Sequence, residues 1–254
     1  MKVVIVMTYY ERQLQLTKTL ESLKKSEYKD FEVIVVDDDS RNDIFHNIKE
    51  YPVTVVKMKN KRWTNPEPAY NMGLFLAMKA NPDVIIVQNA ECYHVGDVIS
   101  YATKVTDSTY FAFSCFSLDR ENTFKEHNVF YLADKNRRRA NFDGDLAWYN
   151  HPVYRPNAFD FCVALTAKNM KLLNGYDERF SDGHAYGDNN LIERVGVLGL
   201  QVKIPLVPFV VHQWHYVTPH PVDYVRLEAK NKLLLLEIRK ENSYRAKHIY
   251  TRDL

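Results

Sequence analysis

Glycine is scarce in this chain, with eight in 254 residues against 17 tyrosines. None of the eight forms the G-x-G-x-x-G or G-x-x-x-x-G-K-[ST] spacing whose backbone amides cradle phosphates, so dinucleotide dehydrogenases and P-loop NTPases lose support. A G-x-S-x-G elbow is also missing, which removes the usual serine-hydrolase arrangement. Cysteine is sparse: Cys92, Cys115 and Cys162 lie in or beside apolar runs without C-x-x-C spacing. That set argues against a disulfide framework and against structural zinc, and it suits a reducing compartment. Charge of one sign is lacking too, since the formal net charge is +2. No large field draws nucleic acid, and no nucleic-acid partner is expected. No apolar run nears the roughly 20 residues of a membrane span, and the first residues lack a signal-peptide pattern. The expectation is a cytoplasmic protein without a transmembrane segment, with peripheral membrane contact left open. No internal period and no linker divides the chain.

What is present begins with two Val/Ile runs, VVIVM at 3–7 and EVIVVDDDS at 32–40. Such runs read as buried parallel strands. Leu16, Leu20 and Leu23 between them fall at i, i+4 and i+7, the stripe of a helix lying on a sheet. The second run stops on Asp37, Asp38 and Asp39, and ligands of open α/β sheets bind just beyond strand carboxyl ends. Further on, the pattern predicts a strand at 53–58, the polar loop NKRWTNPEP, and a helix at 68–80 that buries Ala69, Met72 and Leu76. Asn81-Pro82-Asp83 stops it. A strand at 84–87 follows, then a helix carrying Val95, Val98, Ile99, Ala102 and Val105, then a strand at 110–116. Periodicity vanishes over 119–157, which holds Arg137-Arg138-Arg139, Trp148, Tyr149 and Tyr154; loops of that length are usually functional or disordered, and the aromatics oppose disorder. A strand at 159–165 returns, Thr166 caps a helix to Leu173 and Gly175 ends it. The acidic loop GYDERFSDGHAYGDNN leads to a helix with Leu191, Val195 and Leu198. Residues 200–211 form a strand region broken by Pro205 and Pro208, a helix spans 221–241 with an apolar face at 233–236, and the basic tail with Arg245, Lys247 and Arg252 is expected to be solvated.

Three constellations could carry chemistry. Asn89 and Glu91 lie two apart after a strand, so both oxygen-bearing groups face one side if the extended geometry persists. Hard oxygen ligands there suit Mg2+ or Mn2+ bridging a diphosphate, and a cap-and-turn role competes with that reading. His212 and His215 close a later strand, where an imidazole could join the same metal or simply hydrogen-bond at a loop; Trp214 beside them could stack on a base or sugar. Asp188 opens a predicted helix, whose dipole favours its ionised form, and an ordinary N-cap role competes with a general base.

Taken together, these segments resemble the nucleotide-sugar glycosyltransferases of the GT-A fold, especially the family 2-like group. VVIVMTYYERQLQLTKTLESL looks like that family's first strand and helix, EVIVVDDDS like its EIIVVDDGS block with Asp39 for Gly, and NPEPAYNMGL like the segment before the metal motif. VIIVQNAEC stands at the Asp-x-Asp position, and GYDERFSDGHAYGDNN resembles the acceptor loop that ends in the catalytic base. The match runs in order from residue 3 to about 215. It implies an α/β fold of the GT-A (Rossmann-like) type, a mixed, mostly parallel sheet flanked by helices in a single domain over 1–220. The nucleotide-binding half would cover about 1–107 and the acceptor half about 108–220, followed by a helix and basic tail at 221–254. The resemblance further implies that Thr8, Tyr9 and Glu11 line the base and ribose pocket and that Asp38 contacts base or ribose. Arg62 and Asn71 would approach ribose or diphosphate. Asn89 and Glu91 would hold Mn2+ or Mg2+ with His212 or His215, and Asp188 would deprotonate the acceptor. The implied activity is inverting transfer of a sugar from a nucleoside-diphosphate sugar, expected to be a UDP-sugar, to the hydroxyl of a glycan or other acceptor. Asn-x-Glu carries one charge where Asp-x-Asp has two, and Gly187 replaces the usual Glu before the base. A sugar-phosphate nucleotidyltransferase would want a Gly-rich loop where TYYER stands. A glycan- or nucleotide-binding module on a degenerate fold remains the non-enzymatic alternative.

Overall fold

Strands buried on both faces need apolar side chains at every position, and the first strand meets that demand: Val3, Val4, Ile5, Val6 and Met7 are all fully buried. The structure, a computed structural model, describes residues 1–42, 53–139, 145–216 and 223–254. In chain order the described elements are β1 (Val3–Tyr9), α1 (Gln13–Lys24), β2 (Phe31–Asp37), β3 (Val53–Lys57), α2 (Glu67–Lys79), β4 (Val84–Asn89), β5 (Cys92–Val95) and α3 (Val98–Ala102). They continue with β6 (Thr109–Ala112), β7 (Cys115–Ser117), α4 (Arg120–Thr123), α5 (Val129–Lys135), β8 (Ala147–Asn150), β9 (Cys162–Thr166), α6 (Ala167–Leu173), a 3-10 turn (Glu178–Phe180), α7 (Gly187–Val197), β10 (Gln201–Lys203), β11 (Phe209–His212) and α8 (Tyr224–Glu241).

Among these residues one sheet of seven strands runs β10-β6-β9-β4-β1-β2-β3, and β9 is antiparallel to both its neighbours while the other pairs are parallel. This is the mixed, mostly parallel, helix-flanked architecture of the GT-A type. Alternate residues of β1 face opposite layers: Val3, Ile5 and Met7 pack with Leu16, Leu20 and Leu23 of α1, and Val4 and Val6 pack with Leu74 and Ala77 of α2. The buried face of α2 differs from the expected one. It runs through Ala69, Tyr70, Gly73, Leu74 and Ala77, while Met72 and Leu76 are only half-buried. The helix lies so close to the sheet that a Cβ on Gly73 would stand 2.5 Å from Val6 Cγ1, so small residues take the central stripe.

A second sheet, β5-β11-β7-β8, stands beyond the first. It explains three departures from the sequence reading. Val95 belongs to β5 and not to a helix, which is shortened to α3 and capped by Asp97 accepting from the Ser100 N–H at 3.0 Å. The apolar run at 110–116 is two strands in two sheets, β6 and β7, and the run at 200–211 likewise splits into β10 at the edge of one sheet and β11 inside the other. Apolar continuity shows that a segment is buried and is blind to a change of sheet along it. Residues 119–139 and 145–157, expected without regular structure, hold α4, α5 and β8.

The side chains of Arg245, Lys247 and Arg252 in the C-terminal tail are exposed, as expected, but the tail's backbone is docked on the domain. The backbone N–H groups of Ile249, Tyr250 and Thr251 donate to Glu178 Oε2 at 2.6, 2.5 and 3.1 Å, the Ala246 N–H donates to the Leu173 carbonyl, and the Leu254 N–H donates to Asn174 Oδ1. On α8 the apolar run divides: Leu235 and Ile238 pack on Phe180, whereas Leu233 and Leu236 face outward. The expected boundary at 220/221 lies outside the described residues. No described helix is long and apolar enough to cross a membrane.

Candidate active site

The winding of the sheet reverses between β1 and β4, because the chain moves from β1 outward through β2 and β3 and then returns to β4 on the other side. Crevices at such reversals, beyond the strand carboxyl ends, are where open α/β sheets bind ligands. The register there sets Thr8 beside Asn89 and Tyr9 beside Asp37.

On the β2 side, Asp38 is 3% exposed and is held at both oxygens, with Lys61 Nζ on Oδ2 and Trp63 Nε1 on Oδ1 at 2.9 Å. Burial raises its pKa against the pull of Lys61. Lys61 also stands over the Tyr10 ring at 5.4 Å, and Trp63 packs on Tyr250 of the tail at 5.5 Å. Glu11 is exposed at the rim and accepts from the Arg41 N–H at 2.5 Å and from Asn42 Nδ2 at 3.0 Å. Burial tends to raise its pKa, and these bonds outweigh it and lower it. Arg62 is exposed and Thr8 is half-buried at the strand end. Tyr9 is 3% exposed and packs in the core with Leu16 and Leu20. Asn71 does not reach the crevice. It is fully buried, its Nδ2 donates to the Tyr176 carbonyl and to Glu178 Oε1, each at 2.9 Å, and its Oδ1 accepts from the Tyr176 N–H at 2.8 Å. With those contacts made, its polar atoms have no reach left for ribose or diphosphate; it fixes the loop after α6 instead.

Glu91 sits at the corner where the chain leaves β4 and enters the second sheet. The register of β11 on β5 sets His212 opposite Cys92, the neighbour of Glu91, and Gln213 locks the corner by donating from its backbone N–H (3.1 Å) and Nε2 (2.9 Å) to the Glu91 carbonyl. Glu91, His212 and His215 thus bring one ligand atom each within 4.8 Å of one another. His212 Nε2 is 3.4 Å and His215 Nε2 is 3.6 Å from Glu91 Oε1. Glu91 Oε2 is buried without a hydrogen-bond partner among the described residues. Arg12 Nη1 reaches Glu91 Oε1 at 2.6 Å. Burial works to raise the Glu91 pKa, and the Arg12 charge and the imidazoles overcome it and hold the carboxyl well below its usual range. Burial lowers the His215 pKa to about 4. One carboxylate with an unsatisfied oxygen and two imidazoles form a donor set that fits Mn2+ better than Mg2+. Asn89, expected in the same set, turns elsewhere: its Oδ1 accepts from the Tyr70 hydroxyl at 2.8 Å. Trp214 packs against Tyr216 and beneath the Arg120 guanidinium, 5.2 Å from its ring.

Asn89 lines a cleft of about 270 Å³ with Asn65, Glu67, Tyr70, Asp160, Tyr176 and Asp188. Phe161 joins the two halves of the site, lining this cleft while its ring lies 5.6 Å from that of His212. Asp188 is in the first turn of α7, and its Oδ1 accepts from the Asn189 N–H at 2.7 Å. The helix dipole was expected to favour its ionised form, yet burial dominates and raises its pKa. Asp160, opposite, accepts from the Tyr176 hydroxyl at 2.7 Å and is pushed up to about 7 by burial and by the Asp188 charge. Glu67 is pushed up to about 8 by burial. Its Oε1 lies 2.2 Å from where a Cβ of residue 187 would stand, and Gly187 does not have a positive φ. Residue 187 is therefore glycine for space and not for backbone freedom, because the Glu67 carboxyl fills the room in front of it.

Sequence reasoning missed Arg12, Lys61, Trp63, Glu67 and Asp160. Asp160 had one signal, a single acid inside the apolar segment FDFCVAL. Arg12 and Glu67 had none, because their importance comes from partners 79 residues away in the first case and 120 in the second.

Comparison with known proteins places the chain in a family and its fold among solved structures. The family described as "Glycosyl transferase family 2" matches residues 3–162. A comparison with curated protein sequences gives no match. Among solved structures, TarS of S. aureus in complex with UDP-GlcNAc superposes with a TM-score of 0.62 at 13% identity, covering 94% of this chain and 72% of that one. Another TarS crystal structure gives 0.58 at 14% identity, and there this chain spans only 37% of its length. The mannosyltransferase PcManGT of Pyrobaculum calidifontis, in complex with GDP-Man and Mn2+, gives 0.52 at 15% identity, covering 83% of this chain and 56% of that one. At such identities the structural likeness concerns the fold, while the family match spans most of the chain. This chain belongs to glycosyl transferase family 2.

Proposed function

We propose that the chain transfers a sugar from a nucleoside-diphosphate sugar, a UDP-sugar by preference, to an acceptor hydroxyl with inversion. The observation that carries this reading is the pairing of two unlike sites across Phe161: the Glu91–His212–His215 cluster and the carboxylate cleft of Asp160 and Asp188. Leaving-group charge and acceptor activation need separate devices on opposite sides of the anomeric carbon, and the two sites supply them. In this reading Glu91, His212 and His215 hold Mn2+, which when bound neutralises charge on the departing diphosphate. The solved relatives in complex with UDP-GlcNAc and with GDP-Man and Mn2+ support a nucleotide-sugar donor. Asp38, with Lys61 and Trp63, meets the base or ribose, with Thr8 and Glu11 at the rim. The cleft is smaller than the roughly 300–1,000 Å³ of drug-sized pockets, which suits a sugar ring and not a whole nucleotide.

Asp188 acts as the general base. Two half-buried carboxyls facing one cleft cannot both ionise cheaply, so the charge of one raises the pKa of the other. Asp160, pushed up to about 7 by burial and by the Asp188 charge, takes up a proton near neutrality, although the hydrogen bond donated by Tyr176 favours its ionised form. Asp188 then stays ionised with a raised proton affinity, which strengthens it toward the acceptor hydroxyl. A single displacement of this kind inverts the anomeric centre. The division into a nucleotide half at about 1–107, an acceptor half at 108–220 and a C-terminal segment belongs to the same proposal.

The test is release of nucleoside diphosphate from a panel of nucleotide sugars with Mn2+, with Mg2+ and with chelator. One donor should be consumed in a metal-dependent way, with activity lost in Glu91→Ala and Asp188→Ala. Nucleotide binding without turnover of any donor would move the assignment to a binding module.

A further inference from the structure

Arg12 stands on the same carboxylate oxygen that the two histidines approach. It precedes α1, its carbonyl accepts from the Leu16 N–H at 2.9 Å, and its guanidinium reaches across to Glu91 Oε1 at 2.6 Å with 28% of the side chain still exposed. The imidazole Nε2 atoms lie at 3.4 and 3.6 Å from that oxygen, and the other oxygen of Glu91 is buried and unsatisfied among the described residues. The corner therefore already contains a cation. Histidines ligate metals in their neutral form, so Glu91 and Arg12 together leave the corner without net charge.

We propose that Arg12 and a divalent cation are alternative partners of Glu91, and that the cation enters only with a nucleoside diphosphate, whose phosphates receive Arg12. This rests on the reading of Glu91, His212 and His215 as the metal site. A divalent ion added beside Arg12 alone meets one carboxylate and one like-charged guanidinium a few ångströms away, and repulsion at that range in a buried corner is severe. A bound diphosphate changes the balance. Its oxygens give the guanidinium a bidentate partner of the kind Arg prefers, free the Glu91 carboxylate, and cancel the excess positive charge. Arg12 thus makes metal and nucleotide binding mutually dependent, and by linkage each tightens the other by the same factor.

The experiment is a Mn2+ titration followed by the electron paramagnetic resonance of free Mn2+, with and without UDP or GDP, on the wild type, Arg12→Met, Arg12→Lys and Glu91→Gln. The wild type should bind Mn2+ weakly alone and at least about tenfold more tightly with the nucleotide. Arg12→Met should bind Mn2+ alone at least about tenfold more tightly than the wild type and lose most of the nucleotide effect. Arg12→Lys, which keeps the charge, should follow the wild type, and Glu91→Gln should bind no Mn2+. Equal Mn2+ affinities in wild type and Arg12→Met would overturn the proposal and leave the metal site standing. No Mn2+ binding by any of these proteins would overturn both the proposal and the metal site. Should Arg12→Met fail to show a folded melting transition, absence of the nucleotide effect in the wild type alone would still overturn it.

Discussion

Glu67 and Asp160 are carboxylic acids that retain a proton near neutrality because ionising them means placing charge where water reaches poorly; their pKa values lie at about 8 and about 7. Both are raised above their values in the unfolded chain. The folded state therefore binds more protons than the unfolded one, and the stabilisation is complete below the unfolded values and lost as pH rises through the folded ones. His94 and His215 act oppositely, since burial lowers them to about 3 and about 4 and stability falls as pH drops below the ordinary histidine value. The two effects oppose each other in mild acid. Between about pH 6.5 and 8 the carboxyls act alone, and stability should fall by roughly 2 kcal/mol at one unit of pKa per 1.36 kcal/mol. Glu67 is 3% exposed and should carry the larger share, because Asp160 keeps some contact with the cleft. Melting temperatures over that range should decline in the wild type and flatten in Glu67→Gln; an unchanged slope would show that the Glu67 carboxyl is ionised throughout. Gly187 offers a check by a second route. Gly187→Ala would place a methyl 2.2 Å from Glu67 Oε1 and force that carboxyl aside, so donor turnover should fall about tenfold with little loss of secondary structure by circular dichroism.

The elements of this chain differ in how plainly their sequence announces them. The helix α1 was legible from Leu16, Leu20 and Leu23, and β1 and β2 from unbroken Val and Ile, because one local pattern sufficed for each. The cap of α6 was legible too: Thr166 accepts from the Asn169 N–H at 3.3 Å, as a side chain in that position should. The face of α2 was not, since Met72 and Leu76 are as apolar as the residues actually buried and only the approach of β1 decides between them. That approach yields a prediction against helix propensity. Gly73→Ala would gain up to about 1 kcal/mol in an isolated helix, but its Cβ would stand 2.5 Å from Val6 Cγ1 and 3.0 Å from Val36 Cγ2. Both are stiff β-branched side chains, so overpacking should win and cost a net 1–3 kcal/mol or so in denaturant titration. A stabilised Gly73→Ala variant would mean that α2 can lift from the sheet freely.

In the molecule as a whole, Glu178 is the point where α2, the loop after α6 and the C-terminal tail are tied together. It accepts from Asn71, from the Thr251 hydroxyl and from three successive backbone N–H groups of the tail. Burial tends to raise its pKa, and these donors prevail and lower it. Glu178→Ala should release residues 249–251 and destabilise the protein by about 2–4 kcal/mol, several charge-assisted bonds being lost while water recovers part of them. Hydrogen exchange at those three amides reads it directly, and protection equal to the wild type would show that the tail is held by other contacts. Because Tyr250 packs on Trp63, and Trp63 donates to Asp38, a released tail should also weaken nucleotide binding.

The sequence by itself determined the layers and their polarity: which runs are buried strands, which stripe of α1 faces them, and that acids and amides collect past the strand ends. These follow from local periodicity, which needs no knowledge of distant residues. It also supplied Asp38, Glu91, Asp188, His212 and His215, residues whose chemistry and place after strands or before a helix suffice to nominate them. Only the tertiary structure decided what those residues meet. It set His212 and His215 against Glu91 through the pairing of β11 with β5, turned Asn89 toward Tyr70, withdrew Asn71 into the core, and brought Arg12, Glu67 and Asp160 to the site. Each of those outcomes is a contact between segments far apart in the chain, fixed by sheet register and by the room that packing leaves. No local pattern carries that information.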